Sequence, residues 1–231
     1  MSVFLNVDAG ELPEEPAALY ELADVVHVAA GGHAGDEASI GLAADLARRH
    51  GARFGAHPSY DDREGFGRRF LDLPPQIVRG SVARQCALVR EVGARRGLEV
   101  STVKPHGALY HASQRDDALA AAIVDAVIAE LGEVRVVGPP EGALRDHAAR
   151  RGLPYDREGF ADRAYDENGQ LRPRSSPLAL LGSTDAAVGQ ALRLAASGAV
   201  ETLCIHGDSP GAVALLRAVR EALADGGLLR A

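Results

Sequence analysis

Short β-branched or apolar runs recur along the chain, each followed by a polar, glycine-rich turn and then by an Ala/Leu/Arg-rich stretch of helical period. Runs of period two answered by runs of period 3.6 are the signature of β/α units around a parallel sheet or barrel. The pattern predicts strands at 3–7, 25–30, 53–56, 100–104, 134–137 and 202–205, a weaker one at 153–156, and a further short run at 178–181. Helices are predicted at 38–50, 75–96, 116–131, 141–151, 185–197 and 211–224. Pro75 suits a first helical turn and the Arg95-Arg96 pair a last one. No linker or low-complexity tract divides the chain, so residues 1–231 are read as a single α/β domain, a β/α barrel of seven readable strands. Arg63-Glu64-Gly65-Phe66 recurs as Arg157-Glu158-Gly159-Phe160, but the flanks differ, which indicates coincidence or two similar loops rather than duplication.

Composition narrows the partners. With 231 residues, 46% of them hydrophobic, the chain can bury a large core. A formal net charge of -7 with no Lys/Arg block argues against a nucleic-acid or anionic-membrane surface, and the absence of Trp leaves little for base stacking. Neither a basic leader with a long apolar core nor a membrane-length segment is present, so a cytoplasmic protein is expected. Cys86 and Cys204 are too few and too far apart for a zinc finger or a disulfide framework, and Cys204 reads as a small buried hydrophobe.

One residue stands out against this background. Among 25 basic residues Lys104 is the only lysine, set in Val103-Lys104-Pro105-His106-Gly107-Ala108-Leu109-Tyr110. A position that keeps an ammonium while every other has become guanidinium points to a function arginine cannot serve. In parallel α/β architectures ligands bind beyond the carboxyl ends of the strands. Those ends carry Asn6-Val7-Asp8-Ala9-Gly10-Glu11, His33-Ala34-Gly35-Asp36, His57-Pro58-Ser59, Lys104-Pro105-His106 and His206-Gly207-Asp208. Four histidines on four different strand ends converge on one mouth if the barrel closes, with carboxylates beside them. His27, His50, His111 and His147 lack that setting and are assigned to core or surface.

Gly65-Phe66-Gly67-Arg68-Arg69 offers two adjacent guanidiniums suited to carboxylate or phosphate oxygens. Ala161-Asp162-Arg163 is similar, with an ion pair within the loop an equal option. His33, Asp36, His57, His106, His206 and Asp208 are also suitable ligands for a divalent metal, although no tight spacing enforces one. There is no G-x-S-x-G elbow for a serine nucleophile, no Walker A loop and no G-x-G-x-x-G between strand and helix.

Taken in order, these segments, with Gly55-Ala56-His57-Pro58-Ser59-Tyr60 and Phe160-Ala161-Asp162-Arg163, resemble the LamB/YcsF family nearly end to end. The resemblance implies an irregular seven-stranded β/α barrel of the glycoside hydrolase/deacetylase kind. It further implies ATP-dependent hydrolysis of 5-oxo-L-proline to L-glutamate with two partner subunits, B and C, and with ATP and Mg²⁺ engaged through the complex. Self-association stays open. Where the family often has Asn-Ile-Ala-Cys-Gly-Phe, this chain has His27-Val28-Ala29-Ala30-Gly31-Gly32, and Val7 stands at another frequent cysteine, so thiol nucleophiles are absent at these positions. On this reading Asp8 or Glu11 is the base for water, His57 or His106 carries a proton to the ring nitrogen, and Lys104 stabilises developing negative charge. Asn6, His33, Asp36, Arg68, Arg69, Arg163, His206 and Asp208 complete the substrate site. The alternatives are a metal-dependent deacetylase on the same barrel and a non-catalytic carrier of 5-oxoproline.

Overall fold

The computed structural model describes residues 2–174, 176–209 and 211–230. Seven parallel strands close into a barrel in sequence order, β1 (Phe4–Ala9), β2 (Val25–Ala29), β3 (Arg53–His57), β4 (Thr102–Val103), β5 (Arg135–Gly138), β6 (Tyr155–Phe160) and β7 (Thr202–Ile205). The ring is sealed by β1 on β7, with Asn6 opposite Cys204. The surrounding helices are α1 (Ala17–Leu22), α2 (Glu37–His50), α3 (Pro75–Ala94), α4 (Gly107–Arg115), α5 (Asp117–Leu131), α6 (Ala143–Arg150), α7 (Thr184–Ser197) and α8 (Ala212–Asp225).

Strand alternation sorts the side chains. On β1, Leu5, Val7 and Ala9 join the hydrophobic core between sheet and helices. Asn6 and Asp8 face the barrel axis, where Asn6 bonds across to Thr202 and Lys104. Val26 and Val28 on β2, Phe54 and Ala56 on β3, and Leu203 and Ile205 on β7 repeat the outward apolar face. The interior is thus polar: Asn6, Asp8, His27, His57, Thr102, Lys104, Glu158 and Thr202 are all buried. Gly55 is required there, because a Cβ would lie 2.2 Å from the Thr102 hydroxyl and 2.8 Å from the His27 ring.

Helix ends follow the expected chemistry. Asp36 caps α2 by accepting from the Ser39 N–H, and Ser39 returns a bond to the Asp36 N–H, while Gly51 ends the helix in the left-handed region. Ser183 caps α7 by accepting from the Ala186 N–H, and Gly198 ends it in the left-handed region. Several expectations are corrected. The strand expected at 100–104 is only Thr102–Val103. The weak strand at 153–156 is the long Tyr155–Phe160, so the two Arg-Glu-Gly-Phe repeats are a strand and a loop, not similar loops. The run at 178–181 is no barrel strand: Leu180 forms one isolated antiparallel bridge to Arg163, and Leu178 is exposed. Helices α1 and α4 are additions to those the periodicity predicts.

Candidate functional site

Lys104 follows β4 directly and points into the barrel, its side chain 2% exposed. Its Nζ donates to Asn6 Oδ1 at 3.0 Å and to Glu158 Oε1 at 3.2 Å, lies 3.4 Å from Cys204 Sγ, and is ion-paired with Asp8. Burial works against the ammonium, but the Asp8 carboxylate reverses that and drives its pKa well above the usual lysine value. Burial likewise opposes an ionised Asp8, yet His57 and Lys104 outweigh it and hold the carboxyl well below its ordinary range. A fixed lysine–carboxylate cluster therefore forms the floor of the site.

Beside it the histidines gather. The His57 Nδ1–H donates to the Lys104 carbonyl at 2.7 Å, and its Nε2 lies 3.5 Å from Asp8 Oδ2 and 3.0 Å from His106 Nδ1. The His106 Nε2–H donates to the Phe66 carbonyl at 2.9 Å. His33 stacks on His106 with ring centroids 3.6 Å apart, and its Nε2 is 2.9 Å from Glu11 Oε1. Glu11 also lies 3.4 Å from His106 Nδ1 and 3.9 Å from His57 Nε2. Burial lowers the pKa of His33 to about 3 and that of His106 well below the imidazole value. Burial, reinforced by Asp8, raises Glu11 to about 7.

The loop over this nest is built tightly. Phe66 sits at φ 53, in the left-handed region that costs a non-glycine residue, and its ring meets both His33 and His106 edge-on. Gly67, at φ 63, leaves no room for a Cβ, which would come within 2.9 Å of His33 and of His106.

A cavity of about 890 Å³ opens above the floor, lined by Asp8, His57, Lys104, His106, Tyr110, Glu158, Phe160 and His206, with Arg68, Arg163 and Arg174 toward its rim. Arg68 and Arg174 both pair with Asp208, at 2.7 and 2.9 Å. His206 Nδ1 lies 2.9 Å from Asp162 Oδ2, and the His206 ring stacks on Phe160. Burial opposes ionisation of Asp162, but the His206 side chain and N–H, with Arg174, hold it below its ordinary carboxylate range.

Most of the expected residues are brought together. Asp8, His57, Lys104, His106, His206, Arg68 and Arg163 line the cavity. Asn6 holds Lys104 from below, Glu11 and His33 close the histidine nest, and Asp208 braces the rim. Two expectations are corrected by position. Asp36 is spent on the α2 cap, facing solvent, and Arg69 turns outward to Asp62 and Glu64, so neither reaches the cavity. The loop ion pair between Asp162 and Arg163 does not form: Asp162 takes His206, and Arg163 donates to the carbonyls of Ala179 and Arg172. Of the expected metal ligands, His33, His57 and His106 converge, with Glu11 rather than Asp36 as the carboxylate, while His206 groups with Asp8 and Cys204. Glu158, Arg174 and the partnership of Asp162 with His206 are features of the site that the sequence motifs do not reveal.

Fold and site together define a β/α-barrel protein whose strand ends carry a buried cluster of carboxylates, imidazoles and one lysine. The chain belongs to the LamB/YcsF family, whose model matches residues 4–230. It is 41% identical over 242 residues to the 5-oxoprolinase A subunit of Streptomyces griseus, covering 97% of this chain and 96% of that one. It superposes on the "lactam utilization protein" of Thermus thermophilus with a TM-score of 0.90 at 36% identity, covering 99% and 98% of the two chains. A peptidoglycan N-acetylglucosamine deacetylase domain from Eubacterium rectale shares the fold alone, at TM-score 0.51 and 12% identity over 97% of this chain and 84% of that one.

Proposed function

We propose that this chain is the A component of an ATP-dependent 5-oxoprolinase and performs the ring opening of 5-oxo-L-proline to L-glutamate. The observation that carries the reading is the pairing, on one cavity, of an ionised buried carboxylate, Asp8, with an imidazole, His206, backed by Asp162. The names borne by its relatives supply the substrate class and the need for further subunits, which we take to be subunits B and C.

A five-membered lactam is a weak electrophile, so its amide oxygen is first phosphorylated by ATP with Mg²⁺ on the partner subunits, releasing ADP. Water then adds to the activated ring carbon as Asp8 takes its proton, and the carbon–nitrogen bond breaks as His206 protonates the leaving ring nitrogen. The resulting acyl phosphate is hydrolysed by a second water to glutamate and phosphate. Ligand atoms of Asp8 and His206 lie within 4.8 Å of one another, close enough to serve the attacking oxygen and the leaving nitrogen of one tetrahedral carbon. Lys104 keeps Asp8 ionised, and Arg68 and Arg174 meet the substrate carboxylate or the phosphate at the rim. We give the proton-transfer role to His206 rather than to His57 or His106, whose Nδ1–H and Nε2–H are held by the carbonyls of Lys104 and Phe66.

The test is glutamate release from 5-oxoproline by the chain alone and with subunits B and C, each with and without ATP. Release only with partners and ATP is the expected result. No glutamate from an assembled complex under any condition refutes the assignment.

A further inference from the structure

The histidine nest contains a contradiction that hydrogen bonding within the protein does not resolve. A backbone carbonyl can only accept, so His57 must carry its proton on Nδ1, toward Lys104, and His106 its proton on Nε2, toward Phe66. When both rings are neutral, the remaining nitrogens, His57 Nε2 and His106 Nδ1, present lone pairs to each other at 3.0 Å. Glu11 Oε1, on a side chain 4% exposed, aims at the same point. Its ion-pair partners among the described residues are His33, His57 and His106, with no lysine or arginine, since Lys104 is taken by Asp8 and Glu158. Three electron-pair donors thus face one another in a buried pocket without a fixed positive charge of its own. Such an arrangement is repulsive by itself and attractive around a cation.

We propose that Glu11, His33, His57 and His106 bind one first-row divalent cation, with zinc the best chemical match. The donor set of imidazole nitrogens and one carboxylate is that of zinc and its neighbours rather than of magnesium or calcium. Metal–nitrogen bonds of about 2.0–2.1 Å put the ligands of a tetrahedron roughly 3.3 Å apart. The four measured separations here are 2.9, 3.0, 3.4 and 3.9 Å, and all four ligand atoms fall within 4.8 Å of one another. The carbonyls of Lys104 and Phe66 are the outer hydrogen-bond partners that fix ligand tautomers in metal sites. His33 completes the set by moving its proton to Nδ1, which now has no partner among the described residues. The strained Phe66-Gly67 turn holds the His106 side of the site in place.

The proposal does not depend on the ring-opening assignment and is tested without substrate, ATP or partners. The purified chain is stripped with a chelator and titrated calorimetrically with Zn²⁺, and then with Co²⁺ to read its visible absorption. About one equivalent per chain is expected, with a rise in the thermal unfolding midpoint and with Co²⁺ bands of four-coordinate geometry. Glu11→Gln and His106→Ala should each weaken binding by about 100-fold or more, beyond the 10–100-fold that loss of an outer partner costs. His147→Ala, at a surface imidazole paired with Asp117, should leave it unchanged. Nitrogen NMR of the unsubstituted chain keeps the test decisive if a variant misfolds: the His57 Nε2 and His106 Nδ1 resonances should shift on saturation. No binding, equal binding by the variants, or unmoved resonances would overturn the proposal.

Discussion

Replacing Lys104 by methionine removes the one ammonium from a floor that holds two buried carboxylates, Asp8 and Glu158, with side-chain exposures of 4% and 0%. Methionine keeps much of the volume, so the effect is chiefly electrostatic. Removing one member of a buried pair costs about 3–5 kcal/mol, because the other charge is left without compensation. For a chain of this length each kcal/mol moves the unfolding midpoint by about 2–4 °C, so a fall of roughly 6–20 °C is expected. The pH dependence supplies the sharper test. In the unsubstituted chain, Asp8 has a folded pKa below its ordinary 3.8, so its stabilising contribution is present above that value and is lost as pH falls through the folded pKa. In Lys104→Met one of the two main groups that hold the acid down, the other being His57, is gone, and burial raises it. A raised folded pKa gives stability that is lost as pH rises, so the deficit should be larger at pH 8 than at pH 5. Thermal and urea unfolding of both proteins at the two pH values measures it. A loss under about 2 °C, or a deficit that grows toward pH 5, would refute the account of a buried charge cluster. Adding Glu158→Gln should recover part of the loss, since the pair shares one partner.

Asp162→Asn should lower kcat of the assembled complex by about 100-fold or more with little change in substrate binding, as a general acid loses its orienting carboxylate; an unchanged kcat would remove His206 from the proton-transfer role. Gly67→Ala should cost about 1–3 kcal/mol in chemical denaturation, from the positive φ and from crowding of His33 and His106. Asp36→Ala should cost about 0.5–2 kcal/mol through the lost α2 cap while leaving glutamate formation intact; lost activity in a folded variant would return Asp36 to the site.

The β/α alternation is legible because each strand turns an apolar face toward the helices. What escapes is the polar face. Tyr155–Phe160 reads in sequence only as the weak run 153–156, since Asp156 and Glu158 face inward and Arg157 is held by Glu201 on the other side. No periodicity of hydrophobic residues marks such a strand, and Glu158 is hidden with it. The residues 178–181 mislead in the opposite way: their apolar character belongs to a surface loop in which Leu178 is 65% exposed. The sequence does hold the signal that assigns Asp36, because Asp with Ser three positions later is a capping box, but its nearness to His33 favours a ligand. Arg68 and Arg69 look equivalent in sequence, yet one reaches Asp208 and the other Asp62. Arg174, in a Pro/Ser segment far from any strand end, carries no local signal.

Charge accounting ties the two halves of the site together. Asp8, Glu158 and Glu11 face a single lysine, and Asp8 is kept ionised, so the floor is negative or must hold protons. An anionic substrate entering that cavity meets repulsion unless positive charge is supplied from elsewhere. At the rim Arg68 and Arg174 provide two guanidiniums, but Asp208 neutralises part of them. The cation proposed between Glu11 and the histidines offsets the remaining acid at the expense of the Glu11–His33 contact and leaves the Asp8–Lys104 pair in place. This explains why three imidazoles, rather than a second lysine, surround Glu11. A lysine there would compete with Lys104 for Asp8, whereas imidazole nitrogens can hold a metal and leave the Asp8–Lys104 pair undisturbed.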